Sequence, residues 1–126
     1  MADISALIVD DSSVMRKIVE RALRNAGLPL AEVLEASSGV EALDLLRQKR
    51  VDLILSDINM PNMDGLELLK RLKGSETLKN LPVIMISTEA SRERVMESIE
   101  LGACNFIRKP FSEDDIREKF GLLAKK

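Results

Sequence analysis

The sequence contains no histidine. A histidine base, a histidine metal ligand and a phosphohistidine on this chain are therefore all excluded, and its chemistry must rest on carboxylates, hydroxyls and lysine. It contains one cysteine, Cys104. That excludes an internal disulfide and, with no signal-peptide pattern at the start, points to a reducing, cytoplasmic setting. Cys104 itself is expected to be a small buried residue in a bend. No stretch reaches the ~20 apolar residues of a membrane helix. There is no excess of positive charge either: 19 Lys and Arg against 21 Asp and Glu give a net charge of −2. A chain without a basic field is a poor candidate for nucleic-acid binding. No glycine-rich phosphate loop is present, which argues against nucleotide binding.

What is present suits one domain. The 126 residues are 45% hydrophobic and 32% charged, enough for one core and a charged surface. Short apolar runs alternate with helical patterns. The runs are Leu7–Val9, Val33–Ala36, Leu53–Leu55, Pro82–Ile86 and Phe106–Ile107. After the first, Ser12 or Ser13 caps a helix with Val14, Ile18, Ala22 and Ala26 on one face and Val19 and Leu23 beside them, which Gly27 and Pro29 end. Ser38 and Glu41 form a capping box before a helix that turns Val40, Leu43 and Leu45 or Leu46 inward. Asp64-Gly65 opens a third helix, with Leu66, Leu69 and Leu72 inward and Gly74 at its end. A fourth runs from Ser91 to about Leu101, with Val95 and Ile99 inward and Gly102 closing it. Ser112 caps a fifth that buries Ile116, Phe120 and Leu123. Five strands alternating with five helices predict an α/β fold around a parallel sheet covered on both faces. Residues 1–126 form a single domain in this reading.

In such a sheet the functional crevice lies outside the carboxyl ends of the strands. The first strand delivers Asp10 and Asp11 there, the third Asp57, the fourth Ser87 and the fifth Lys109. Each has a plain alternative: Asp10-Asp11 as helix-capping acids, Ser87 as a turn residue, Lys109 as a solvated lysine. Met60 and Met63 read as packing residues. Together the polar five suggest more. Three clustered carboxylates repel unless a cation intervenes, and an all-oxygen set suits Mg²⁺ or Mn²⁺. A lysine and a hydroxyl beside that ion would hold phosphoryl oxygens, so the set points to phosphoryl transfer with Asp57 as nucleophile.

Four segments in this order, Asp10-Asp11, Asp57-Ile58-Asn59-Met60-Pro61-Asn62-Met63-Asp64-Gly65, Ser87-Thr88-Glu89-Ala90 and Lys109-Pro110-Phe111, closely resemble the receiver domain of bacterial two-component response regulators, in particular the stand-alone CheY-type chemotaxis regulators. The resemblance spans essentially the whole chain. It implies the flavodoxin-like (βα)5 doubly wound fold, with strand order 2-1-3-4-5 and no output domain. It implies that a sensor histidine kinase, or a small phosphodonor such as acetyl phosphate, phosphorylates Asp57. Asp11 and Asp57 would bind Mg²⁺ directly, Asp10 through water and Asn59 through its main-chain carbonyl. Ser87 and Lys109 would contact the phosphoryl group, Asn59 and Glu89 would tune its hydrolysis, and Lys109-Pro110 would be cis. The output surface would comprise Arg92, Val95, Ile99, Phe106, Arg108, Phe111 and Lys119, received by a partner such as the flagellar motor switch; a solvated basic face fits those residues equally. Chemotaxis regulators carry a tyrosine where this chain has Phe106, which has no hydroxyl. A phosphatase partner and a monomeric or weakly dimeric state also follow from the resemblance.

The leading expectation is a phosphorylation-driven switch with only self-phosphorylation and self-dephosphorylation activity. Two alternatives stand beside it: a phosphate sink or other single-domain receiver outside chemotaxis, and a phosphatase with an aspartyl nucleophile. Enzymes of the last kind carry a second acid two residues after the nucleophile, where this chain has Asn59.

Overall fold

Alternate residues of the central strands feed two separate cores. In the computed structural model, which describes residues 3–112 and 114–118, Leu7, Val9, Ile54, Val83 and Met85 face one way. Ala6, Ile8, Leu53, Leu55, Ile84, Ile86 and Ile107 face the other. Side chains on a strand alternate with period two, so continuous apolar runs are what a sheet buried on both faces needs. Burying each Leu or Ile fully contributes about 1.5–3 kcal/mol.

The elements follow the expected alternation. They are β1 (Ile4–Val9), α1 (Ser13–Asn25), β2 (Leu30–Ala36), α2 (Gly39–Gln48), β3 (Leu53–Ser56), α3 (Gly65–Lys73), β4 (Val83–Ser87), α4 (Arg92–Glu100) and β5 (Asn105–Arg108). Residues 114–118 are helical after them. The sheet runs β2-β1-β3-β4-β5, every neighbouring pair parallel. This is the 2-1-3-4-5 order that the resemblance implies. Leu7 pairs with Leu34 and Ile54, and Ile54 with Val83. The order reverses between β1 and β3, so the crevice opens above those two strands. β2 is longer than expected, starting at Leu30 directly after Pro29.

The helices divide between the faces. α1 and Ile116 cover the Ile8 side, and α2 and α3 cover the Leu7 side. In α3 Leu66, Leu69 and Leu72 are buried as expected, and Leu68 with them. Four inward assignments, in three helices, are corrected. On α1 the buried residues are Val19, Ala22 and Leu23, while Val14 and Ile18 are exposed. A row spaced every four residues advances about 400° per step, so it spirals off one face within three turns. On α2 Ala42 is buried and Val40 is exposed; Leu43, Leu45 and Leu46 pack partly against the core. On α4 Val95 is partly buried but Ile99 is exposed, and Ser98 turns inward instead, its hydroxyl donating to the Val95 carbonyl at 2.8 Å. Cys104 lies in a bend but is exposed, contrary to expectation. Phe120, Leu123 and Lys119 lie outside the described residues.

Helix starts follow the sequence closely. Ser12, Ser38, Asp64 and Ser91 each cap a helix by accepting from a main-chain N–H three residues on. At α2, Glu41 reaches back one residue beyond the N-cap that the expected box would use, accepting from the Ser37 N–H at 2.7 Å. Replacing Ser38 with alanine orphans the Glu41 N–H, and a lost N-cap costs about 1 kcal/mol. Urea unfolding of Ser38→Ala should show that loss with an unchanged denaturant slope; a wild-type midpoint would contradict the capping role.

Candidate functional site

The three acids meet where β1 and β3 end. Oxygens of Asp10, Asp11 and Asp57 all lie within 4.8 Å of one another. The main chain builds this convergence. The Asp10 N–H donates to Ala36 O at 3.0 Å and the Asp57 N–H to Val9 O at 2.9 Å, continuing both strand ladders into the acids. Each acid thus inherits its strand's direction rather than that of a loose loop.

Lys109, carried in from the end of β5, closes the cluster. Its Nζ lies 2.9 Å from Asp10 Oδ2 and 3.4 Å from Asp57 Oδ2. The Lys109 side chain is 8% exposed, so the predicted solvated alternative does not hold. A buried ion pair is sustained only when its remaining polar atoms are satisfied. Asp10 meets that condition, since its Oδ1 accepts from the Ser12 N–H at 2.9 Å. Asp57 Oδ1 accepts from the Ile58 N–H at 2.7 Å and from the Asn59 N–H at 3.4 Å. Burial pushes the Asp57 carboxyl above its ordinary range. The Lys109 ammonium opposes that push, the Asp10 carboxylate adds to it, and the two amides oppose it weakly.

The turn after Asp57 is fixed from both sides. Ser56 Oγ donates to Asp57 O at 2.9 Å, and the Gly65 N–H donates to Ile58 O at 2.7 Å. Asn62 takes a positive φ of 70°, a conformation asparagine tolerates. Met60 is buried and Met63 packs over Gly39, so both methionines pack as expected.

The other expected site residues fall at the rim. Ser87 is fully buried and its Oγ accepts from the Glu89 N–H at 3.1 Å. Glu89 points toward α4, where its Oε1 accepts from Arg94 Nε at 3.3 Å. Asn59 is exposed two residues beyond Asp57. Lys109-Pro110 is cis. Beside the crevice, Val95, Phe106 and Arg108 line a cleft of about 360 Å³ together with Ala90, Pro110 and Asp115. The Phe106 ring is buried. Arg92 and Ile99 are exposed on α4 outside that cleft. Phe111 is not on this surface: it packs toward α1, beside Ile18, Arg21 and Ala22. The expected output set is therefore brought together only in part.

Two residues that the sequence reading passed over belong to the site's surroundings. Arg16 donates to the Asp10 carbonyl, and Arg94 holds Glu89. Neither has a local sequence signal, because each bond joins a helix to a strand end or loop.

Chemically, the acid cluster fits a hard divalent cation. It offers carboxylate oxygens only, close enough together to share one ion, with neither sulfur nor imidazole to favour a softer metal. Asp10, Asp11 and Asp57 are the residues that could hold it. Among the described residues no helix is long and apolar enough to cross a membrane.

Comparison with known proteins agrees with this architecture. Residues 6–120 match the family model for the response regulator receiver domain. The chemotaxis protein CheY-3 of Vibrio cholerae is 43% identical over 113 residues, covering 90% of this chain and 85% of that protein. The structure of chemotaxis protein CheY4 from the same species superposes with a TM-score of 0.83 at 36% identity, covering 96% of this chain and 98% of that one. The Mn²⁺-bound form of response regulator Rcp1 gives a TM-score of 0.83 at 25% identity, covering 98% and 96% respectively. With its five-stranded parallel sheet and its acids gathered at the β1 and β3 ends, the chain belongs to the response regulator receiver domain family.

Proposed function

We propose that this chain is a phosphorelay receiver, switched by Mg²⁺-dependent phosphorylation of Asp57, in chemotaxis signalling of the CheY kind. The observation that carries the reading is the placement of Asp57: a half-buried carboxylate beside two further acids, with Lys109 reaching between them. Its 43% identical relative in Vibrio cholerae is a chemotaxis protein, which supports the pathway.

In this reading an Asp57 carboxylate oxygen attacks the phosphorus of a phosphohistidine on a partner sensor kinase. The P–N bond breaks, the imidazole leaves and takes a proton, and Asp57 becomes an acyl phosphate. With acetyl phosphate the P–O bond breaks and acetate leaves. Mg²⁺ or Mn²⁺ held by Asp10, Asp11, Asp57 and the Asn59 carbonyl would neutralise charge on the transferring group. Lys109 moves its ammonium from Asp10 to a phosphoryl oxygen, and Ser87 turns its hydroxyl to another. Water attack on the same phosphorus reverses the state, with Asn59 and Glu89 flanking its approach.

Switching follows from one bond. Ser87 Oγ accepts from the Glu89 N–H at 3.1 Å, and a side-chain rotation that carries the hydroxyl to the phosphoryl group carries its oxygen away from that N–H. Phosphorylation therefore frees the segment 88–90 that borders the Val95, Phe106 and Arg108 cleft, biasing a two-state equilibrium already present. That cleft, with Ile99 beside it, would receive an output protein such as the flagellar motor switch. The chain acts on no separate substrate, works in the cytoplasm as a monomer or weak dimer, and is reset by itself or by a partner phosphatase.

Incubation with Mg²⁺ and acetyl phosphate should add the mass of one phosphoryl group to the wild-type chain and none to Asp57→Asn. Equal uptake by the two proteins, read by intact mass spectrometry, would remove Asp57 from its role.

A further inference from the structure

Arg16, on α1, reaches the acid cluster through the main chain of Asp10, whereas Lys109 reaches it through the Asp10 carboxylate. Its Nη1 donates to the main-chain oxygen of Asp10 at 2.6 Å, and its Nε donates to Glu35 Oε1 on β2 at 2.8 Å. Glu35 Oε2 accepts from Lys17 Nζ at 2.6 Å. The Arg16 side chain is only 15% exposed. Asp10 is therefore bonded at each of its polar atoms. Its N–H follows β2, its carboxylate is shared by the Ser12 N–H and Lys109, and its carbonyl is taken by Arg16.

That last bond matters because of where it falls. The sheet ladder ends at Asp10, and the chain must turn at once into α1 while aiming both Asp10 and Asp11 at Asp57. A guanidinium presents several N–H donors in a rigid planar fork, so one side chain can fix a strand-end carbonyl and a carboxylate on the next strand together. Glu35 pairs with both Arg16 and Lys17, so the three carry one net positive charge, and Arg16→Lys keeps that charge while removing the fork.

We propose that Arg16 is a positioning residue of the acid site, holding the Asp10-Asp11 turn in the shape that binds the divalent cation, with Glu35 holding Arg16. The inference rests on the metal-dependent reading above. Groups that orient metal ligands from behind typically change affinity by about 10-fold or more when removed.

The test is calorimetric titration of the unphosphorylated full chain with Mg²⁺, alongside its thermal unfolding. Arg16→Ala should bind Mg²⁺ about 10-fold more weakly than wild type, with phosphorylation by acetyl phosphate recovering to within about twofold at saturating Mg²⁺. Arg16→Lys, which keeps the charge and most of the stem, should still bind about threefold more weakly, because one ammonium cannot reproduce the fork. Val19→Ala serves as the control, since it opens the buried face of the same helix without touching Asp10. It should lower the unfolding midpoint and leave Mg²⁺ affinity unchanged. Wild-type affinity in folded Arg16→Lys and Arg16→Ala would overturn this inference alone, as would an equal loss in Val19→Ala. Absence of Mg²⁺ binding by the wild-type chain would overturn the metal reading and this inference with it.

Discussion

Gly65→Ala should destabilise the chain by about 3 kcal/mol and nearly abolish phosphate uptake at Asp57. A Cβ at Gly65 would overlap the carbonyl oxygen of Asp57, and would also lie 2.9 Å from its carbonyl carbon and 2.8 Å from Met85 Cε. The methionine methyl can swing away. The carbonyl cannot, because Ser56 Oγ donates to it and the Gly65 N–H is itself committed to Ile58 O. Relief must come from rotating the Asp57 peptide or from pushing the start of α3 outward. Either movement turns the carboxylate away from Asp10 and Asp11. Overpacking commonly costs about 1–3 kcal/mol, and an obstacle made of main chain places this substitution at the upper end. Urea unfolding and intact mass after incubation with Mg²⁺ and acetyl phosphate read the two effects separately. A variant with the wild-type midpoint and full uptake would mean that the turn is looser than its bonds imply.

Asp57→Asn should have two opposite effects: total loss of phosphate uptake and a gain in stability when metal is chelated. Burial is the largest influence on Asp57 and raises its folded pKa above the ordinary 3.8. The folded chain therefore holds a proton that the unfolded chain has released, over the interval from 3.8 up to the raised value. Stability falls as pH rises through that interval, and above it the wild-type chain carries the full cost of the buried charge. Asparagine has no charge to bury. In chelated buffer at neutral pH the variant should unfold at the higher temperature. At a pH below 3.8, where both chains are neutral at this position, the difference should vanish. Added Mg²⁺ should narrow the gap at neutral pH, because an ion that binds the folded wild type stabilises it by mass action. A lower midpoint for Asp57→Asn in chelated neutral buffer would show that attraction to Lys109 outweighs desolvation.

Much of this was legible in the sequence because the informative residues lie at strand ends. An apolar run that stops at an acid gives the strand's direction and the acid's position at once, as at Val9 to Asp10 and Ser56 to Asp57. Parallel topology then gathers those ends on one edge without any long-range guess. Helix faces were harder. Val14 and Ile18 looked buried because a spacing of four was followed too far around α1, and Ile99 because Ser98 is an unexpected inward residue that satisfies its own hydroxyl within the helix. The position of Phe111 failed for a different reason. It was placed with Phe106 beside α4, yet it packs on the α1 side of the sheet, the side that Ile107 also faces. Arg16 was illegible because its two bonds reach residues 6 and 19 positions away. Nothing in a charged residue on a helix tells which strand end its fork will meet.

The bridge from Lys109 to Asp10 and Asp57 also fixes a count of charges. Three carboxylates facing one resident ammonium leave a deficit of two units at a site where Asp10 and Lys109 are buried, Asp57 is half-buried and Asp11 is open to solvent. A monovalent ion entering there would leave one unit uncompensated, and a trivalent ion would overshoot by one. Valence thus becomes a criterion of admission that works alongside ionic size. Rejection of sodium need not be assigned to the oxygen geometry alone, because the lysine has already settled how much charge the visitor must bring; between calcium and magnesium, both divalent, size and geometry still decide.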